Sequence, residues 1–155
     1  MNSKKSAEDF LKETLVLLKK ACILLDVSFK KIEGYSVKEN YSAFEIEMIE
    51  VFTARFSRLV DLLLKKAYRS LDTFELLEGG SLIDVVHRAE KRGIVHSLVQ
   101  VRTLRDVRNL IAHEYAGEDF KEIFSKTKSL APELLELSTK FEKYCQNVLR
   151  NERNW

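Results

Sequence analysis

The sequence predicts an all-α fold: an up-and-down bundle of about five helices, built as one domain over residues 1–155. Three observations carry this. Apolar side chains recur three and four residues apart over long stretches, the spacing of one helix face. One proline and five glycines are too few for the many turns of an all-β domain. Each glycine also falls where a periodic segment ends, at Gly34, Gly79-Gly80, Gly93 and Gly117.

The elements follow in order. The first helix is expected to open at Ser6, with Asp9 three residues on as the reciprocal half of a cap. Phe10, Leu11, Leu15, Leu18, Cys22 and Leu25 form its inner face, and the pattern reaches Ile32 before Gly34. The second and longest helix spans about Ala43 to Leu71. At ~100° per residue its apolar side chains cover roughly 220°, twice the ~100° stripe of a surface helix. That width predicts packing on two sides, inside a bundle or between the bundle and a second subunit.

A third, shorter helix opens at the capping pair Ser81 and Asp84 and closes at Gly93. The fourth spans about Ser97 to His113. The fifth starts at Asp119, with Glu122 as its reciprocal partner. Pro132 is expected to kink or restart it, because proline removes a helical hydrogen bond and crowds the preceding turn.

A chain of 155 residues, 45% apolar and 32% charged, has the material for a hydrophobic core and is not of disordered composition. Cys22 and Cys145 stand apart with no ligand spacing around them, so no zinc site, disulfide framework or cofactor is expected. Lys19 and Lys20 interrupt the first apolar run, which argues against a signal peptide. No uncharged stretch nears the ~20 residues that span a bilayer. No membrane association is therefore expected, and the cytoplasm is the default address.

Charge is uneven. Between Arg88 and Arg108 six basic residues face only Glu90 and Asp106, a local +4 in a chain that nets +2. A basic segment in an otherwise slightly acidic chain points towards a polyanion, although a solvated helix face has the same appearance.

The stretch RNLIAHEY, residues 108–115, closes this segment. On a helical wheel with Arg108 at zero, Arg105 falls near ~60°, Asn109 near ~100°, Arg102 near ~120° and His113 near ~140°. Leu104, Val107, Leu110 and Ile111 take the other side. Imidazole takes and gives a proton near neutral pH. A guanidinium fork matches phosphate oxygens. This set suits attack of a ribose 2′-hydroxyl on the adjacent phosphorus. His113 would transfer protons, Arg108 would neutralise charge on the phosphorane, and Asn109 would orient the ring or bind phosphate. Arg102 and Arg105 would hold RNA. One histidine per chain supplies one proton-transfer group, and a symmetric dimer would supply the second. A plainer reading also stands: a solvated basic helix end with His113 at its C-cap. His87, in HRAEKR, reads as exposed.

Arg108-Asn109-x-x-x-His113, late in a small helical bundle, resembles the signature of the HEPN superfamily. The extension to Tyr115, with SLIDVVHRAEKRGIV and RFSRLVDLLLKKAY upstream, looks like its HepT-type branch. That branch includes relatives described as nucleotidyltransferase substrate-binding proteins. The resemblance covers most of the chain as far as Pro132. It implies a homodimer with Arg108 and His113 of both chains in one cleft, acting as a metal-independent ribonuclease toxin. It further implies neutralisation by a cognate minimal nucleotidyltransferase that adds AMP to Tyr115, whose plainer role is to pack its ring at the helix end. Glu114 departs from the small residue many relatives carry there. The alternative is a non-catalytic subunit that presents substrate to, or regulates, a partner nucleotidyltransferase.

Overall fold

The computed structural model describes residues 2–77, 79–114 and 117–152. Among them all regular structure is helical, in five helices: α1 (Asn2–Ile32), α2 (Ala43–Leu62, continued below), α3 (Leu82–Lys91), α4 (Leu98–Ala112) and α5 (Phe120–Glu152). The all-α bundle expected from the sequence is the fold of the chain. α1 packs on α2, the end of α2 on α3, α3 on α4 and α4 on α5. α5 then returns against α1 and α2 and closes the bundle.

α1 starts at Asn2, four residues before the expected opening at Ser6. Nothing in the preceding residues stops a helix, since neither glycine nor proline occurs there, so Ser6 lies within the helix and not at its cap. Its inner seam is Leu11, Leu18, Leu25 and Ile32, seven residues apart and at most 2% exposed. This spacing keeps one stripe facing a neighbouring helix. Thr14 returns its hydroxyl proton to the Phe10 carbonyl at 2.8 Å, which satisfies a buried polar group within the helix.

α2 is capped by Ser42: its hydroxyl accepts from the Glu45 N–H, and Glu45 accepts from the Ser42 N–H. At Leu63–Ala67 the helix widens into a π turn, then resumes as α-helix through Tyr68–Phe74. Its broad apolar arc is used in the bundle, since α2 touches α1, α4 and α5. Phe44 and Val51 stay exposed all the same, as do Val16, Ile23 and Val27 of α1. The helix ends with Leu76 in the left-handed region, φ 61°, where Leu77 N–H bonds back to the Asp72 carbonyl.

α3 opens with the expected Ser81–Asp84 capping box. It closes through Gly93 at φ 74°, with Ile94 N–H on the Ala89 carbonyl and Gly93 N–H on that of Glu90, a Schellman motif. An ionic cluster fixes α3 to α2 and α5. Asp72, 3% exposed at its side chain, lies 2.8 Å from Arg88 Nη2 and 2.7 Å from Arg92 Nη1. Arg92 Nε donates to Glu75 at 2.8 Å, and Glu75 also accepts from the Tyr144 hydroxyl of α5 at 2.9 Å. The two Arg92 Nη contacts are close in distance but off the hydrogen-bond line, so charge attraction dominates them.

α5 runs through Pro132 as one helix, contrary to the expected restart. Pro132 sits on the exposed face, so the carbonyl it leaves without an N–H partner can turn to water while buried Ala131, Leu134 and Leu137 hold the helix to the core. At its start the Asp119 carbonyl accepts from Ile123 N–H. Phe120 and Phe124 then meet the edge of Tyr41 at 5.5 and 5.9 Å. No helix among the described residues is long and apolar enough to cross a membrane.

Candidate phosphate-binding cleft between α2 and α4

α4 starts at Ser97, whose hydroxyl accepts from Gln100 N–H at 3.3 Å, while Gln100 Oε1 accepts from His96 N–H at 2.9 Å. The expected N-terminus is thus capped by Ser97, and the Gln100 side chain reaches past the cap to the backbone of His96. Val101, Leu104 and Val107 are buried against the bundle. Arg102 and Arg105 project from the opposite side as exposed residues, and Arg108 and Asn109 are half-buried between the two faces.

Arg108 is held by α2. Its Nε and Nη2 donate to the two carboxylate oxygens of Asp61 at 2.8 and 2.9 Å, a bidentate pair. The hydrogen bonds and the charge of Asp61 raise the pKa of this guanidinium further. Nη1 makes only a long 3.4 Å contact to Asn109 Oδ1. Lys65, one turn along α2, reaches the same Asp61 carboxylate at 3.4 Å.

A cleft of about 390 Å³ opens beside this pair. Val60, Leu64 and Leu82 give it an aliphatic wall, with Asp61 and Asn109 as polar groups. Lys65, Arg69, Arg105 and Arg108 supply four cations against the single Asp61 carboxylate. The π turn brings α2 into register for this role. Leu64 and Lys65 both lie within it, and the added width of the turn offsets the rotation that successive four-residue steps would otherwise accumulate.

The structure therefore gathers Arg105, Arg108 and Asn109 at one cleft. Arg102 and His113 are not among its lining residues. His113 is the C-cap of α4, exposed, with its backbone N–H on the Asn109 carbonyl at 3.1 Å. Asn109 and His113 are thus linked through the backbone. The helix stops at Ala112, so wheel positions do not extend beyond it, and Tyr115 lies outside the described residues. Glu114 is half-buried, and its Oε1 has no hydrogen-bond partner among the described residues.

Asp61, Lys65 and Arg69 were not singled out by the sequence reading. Their four-residue spacing on one helix is a faint signal; their meeting with Arg108 depends on helix packing across 47 residues of chain. Among the described residues no three His, Cys, Asp or Glu side chains cluster as metal ligands. Comparison with protein-family models, curated proteins and solved structures gave no match.

Proposed function

We propose that the chain is a metal-independent endoribonuclease, the toxin of a pair with a minimal nucleotidyltransferase. The observation that carries this reading is the basic cleft on α4, where Arg105, Arg108 and Asn109 stand beside Lys65 and Arg69, with His113 capping the same helix. Asp61 occupies Nε and Nη2 of Arg108 and leaves Nη1 for a phosphate oxygen. In the reaction the ribose 2′-oxygen bonds to phosphorus and the 5′-oxygen leaves, giving a 2′,3′-cyclic phosphate. His113 takes the 2′-hydroxyl proton or gives a proton to the leaving oxygen, and Arg108 offsets the phosphorane charge.

The second proton-transfer group comes from His113 of a second copy in a homodimer. The exposed apolar side chains Val16, Ile23 and Val27 of α1 and Phe44 and Val51 of α2 support such an assembly. AMP added to Tyr115 by the nucleotidyltransferase would add a phosphate two residues along the chain from His113, and that anion would compete with RNA for the same cations. The cytoplasm is the proposed site of action.

Cleavage of end-labelled RNA in EDTA tests the reading. Wild type should yield 2′,3′-cyclic ends, and His113→Ala should not. Equal inactivity of well-folded wild type and variant, both free of AMP by mass, would overturn it. One observation favours the second reading, a non-catalytic subunit that binds a nucleotidyltransferase: Arg108 already has a full carboxylate partner in Asp61. On that reading His113→Ala leaves the activity of the pair unchanged.

A further inference from the structure

Two cations of the cleft are engaged and two are not. Arg108 and Lys65 share Asp61, whereas Arg69 and Arg105 are exposed and enter no ion pair among the described residues. Both line a cavity that Val60, Leu64 and Leu82 also line. A site that combines free guanidinium groups with aliphatic side chains matches a ligand with an anionic end and an apolar, planar end.

We infer that this cleft is a subsite for a single nucleotide, with Arg69 and Arg105 on its phosphate and Val60, Leu64 and Leu82 against its base. The volume of about 390 Å³ lies near the lower end of the range of small-molecule sites, room for one unstacked nucleotide and not for a duplex. Proteins read RNA bases mainly where the strand is single and the bases are splayed out, so the cleft takes a nucleotide from an unpaired segment or a strand end. Asp61 has a place in the same site. A carboxylate offers about four acceptor positions, two of which Arg108 uses, and the remainder suit a ribose hydroxyl.

The inference rests on the ribonuclease reading and deepens it by giving it a nucleotide-binding pocket that Arg108 also lines and His113 does not. Its test is a binding measurement and needs no cleavage. Titration calorimetry with AMP, adenosine and inorganic phosphate would be run on the full chain, on Arg69→Gln and on Arg105→Gln. AMP should bind more tightly than either fragment. Each substitution should weaken AMP binding about tenfold or more, the usual size for a lost charge-assisted hydrogen bond. AMP binding should also fall as salt rises, with a shallower dependence in each variant. Both arginines are exposed, and thermal melting would confirm that the variants fold; Arg69→Lys and Arg105→Lys, which keep the charge, should recover part of the loss.

Absence of AMP binding, AMP affinity unchanged by either substitution, or inorganic phosphate binding as tightly as AMP would each overturn the inference. The two readings fail separately. Arg69-dependent AMP binding without RNA cleavage removes the ribonuclease and keeps the subsite. Cleavage lost in His113→Ala, with AMP binding indifferent to Arg69 and Arg105, does the reverse.

Discussion

Replacing Asp72 by Ala should cost about 3–5 kcal/mol of unfolding free energy, the size expected when one member of a buried ion pair is removed. The structure sets where in that range the loss falls. The Asp72 side chain is 3% exposed and touches two guanidinium groups, at 2.8 Å from Arg88 and 2.7 Å from Arg92. Arg88 is 22% exposed at its side chain and keeps the Gly79 carbonyl, so it can turn towards water at little cost. Arg92 is 6% exposed and keeps only Glu75, so the penalty concentrates there. A loss of about 4 kcal/mol, divided by a urea slope of about 2 kcal/mol/M, moves the midpoint by about 2 M.

The assay is equilibrium urea unfolding followed by circular dichroism. Glu136→Ala, which removes a 62%-exposed partner of Lys140, serves as the control and should change stability by under about 0.5 kcal/mol. Equal midpoints for the Asp72 variant and this control would refute the reasoning, because Arg92 would then be stable without its second carboxylate. Asp72→Leu combined with Arg92→Met should recover much of the loss, since a complete buried pair is often replaceable by apolar groups.

Further expectations concern local devices. Phe124→Ala, at a side chain with no exposure and edge contact to Tyr41, should destabilise by about 3–5 kcal/mol in the same urea assay. Ser81→Ala should cost about 1 kcal/mol by opening the α3 cap. The Ser81 N–H and hydroxyl hold the Asp84 carboxyl below its usual range, so its folded pKa is the lower one. Its contribution is therefore present above the unfolded pKa and lost as pH falls through the folded value, and acid titration of the Ser81 variant should show a smaller loss than wild type. Burial pushes the Cys145 thiol up to about 12, so in a Cys22→Ser background it should resist thiol reagents at pH near 8 until the protein unfolds. Pro132→Ala restores a backbone donor on the exposed face of α5 and should raise stability by about 1–3 kcal/mol on thermal melting.

What was legible in the sequence was local. Ser81 with Asp84, Ser97, Gly93 and the apolar periodicity of α4 each act within a few residues, and each reappears in the structure. Ser42 and Glu45 form an equally local cap that marks the start of α2 with more definition than the apolar pattern alone. The opening of α1 was misjudged because a serine before an acidic residue resembles a cap whether or not the helix already exists. Of the kink or restart expected at Pro132, the restart does not occur, because proline is disruptive in proportion to what surrounds it, and here one side of the helix faces water. At the site, the wheel placed Arg102, Arg105, Arg108, Asn109 and His113 on one side of the helix; Arg105, Arg108 and Asn109 line the cleft, and Arg102 and His113 do not. It carried no information about Asp61, since a pair 47 residues apart exists only once α2 and α4 are packed. The π turn was illegible for a further reason: LLKKA contains nothing that an ordinary helix would not accept.

That turn makes α2 two helical segments keyed together at a set phase. Removing one residue between Leu63 and Ala67 would let the segment close into ordinary α-helical bonding, and because the wide turn takes up about one residue's rotation, Asp61 and Arg69 would keep nearly their present phase. Turning the segment into α-helix at unchanged length would instead rotate the α3-facing half against the α1-facing half by about 100°. A single deletion within these five residues should therefore be tolerated better than one in the regular part of α2, such as between Phe52 and Phe56, where it would turn half of the helix out of its packing.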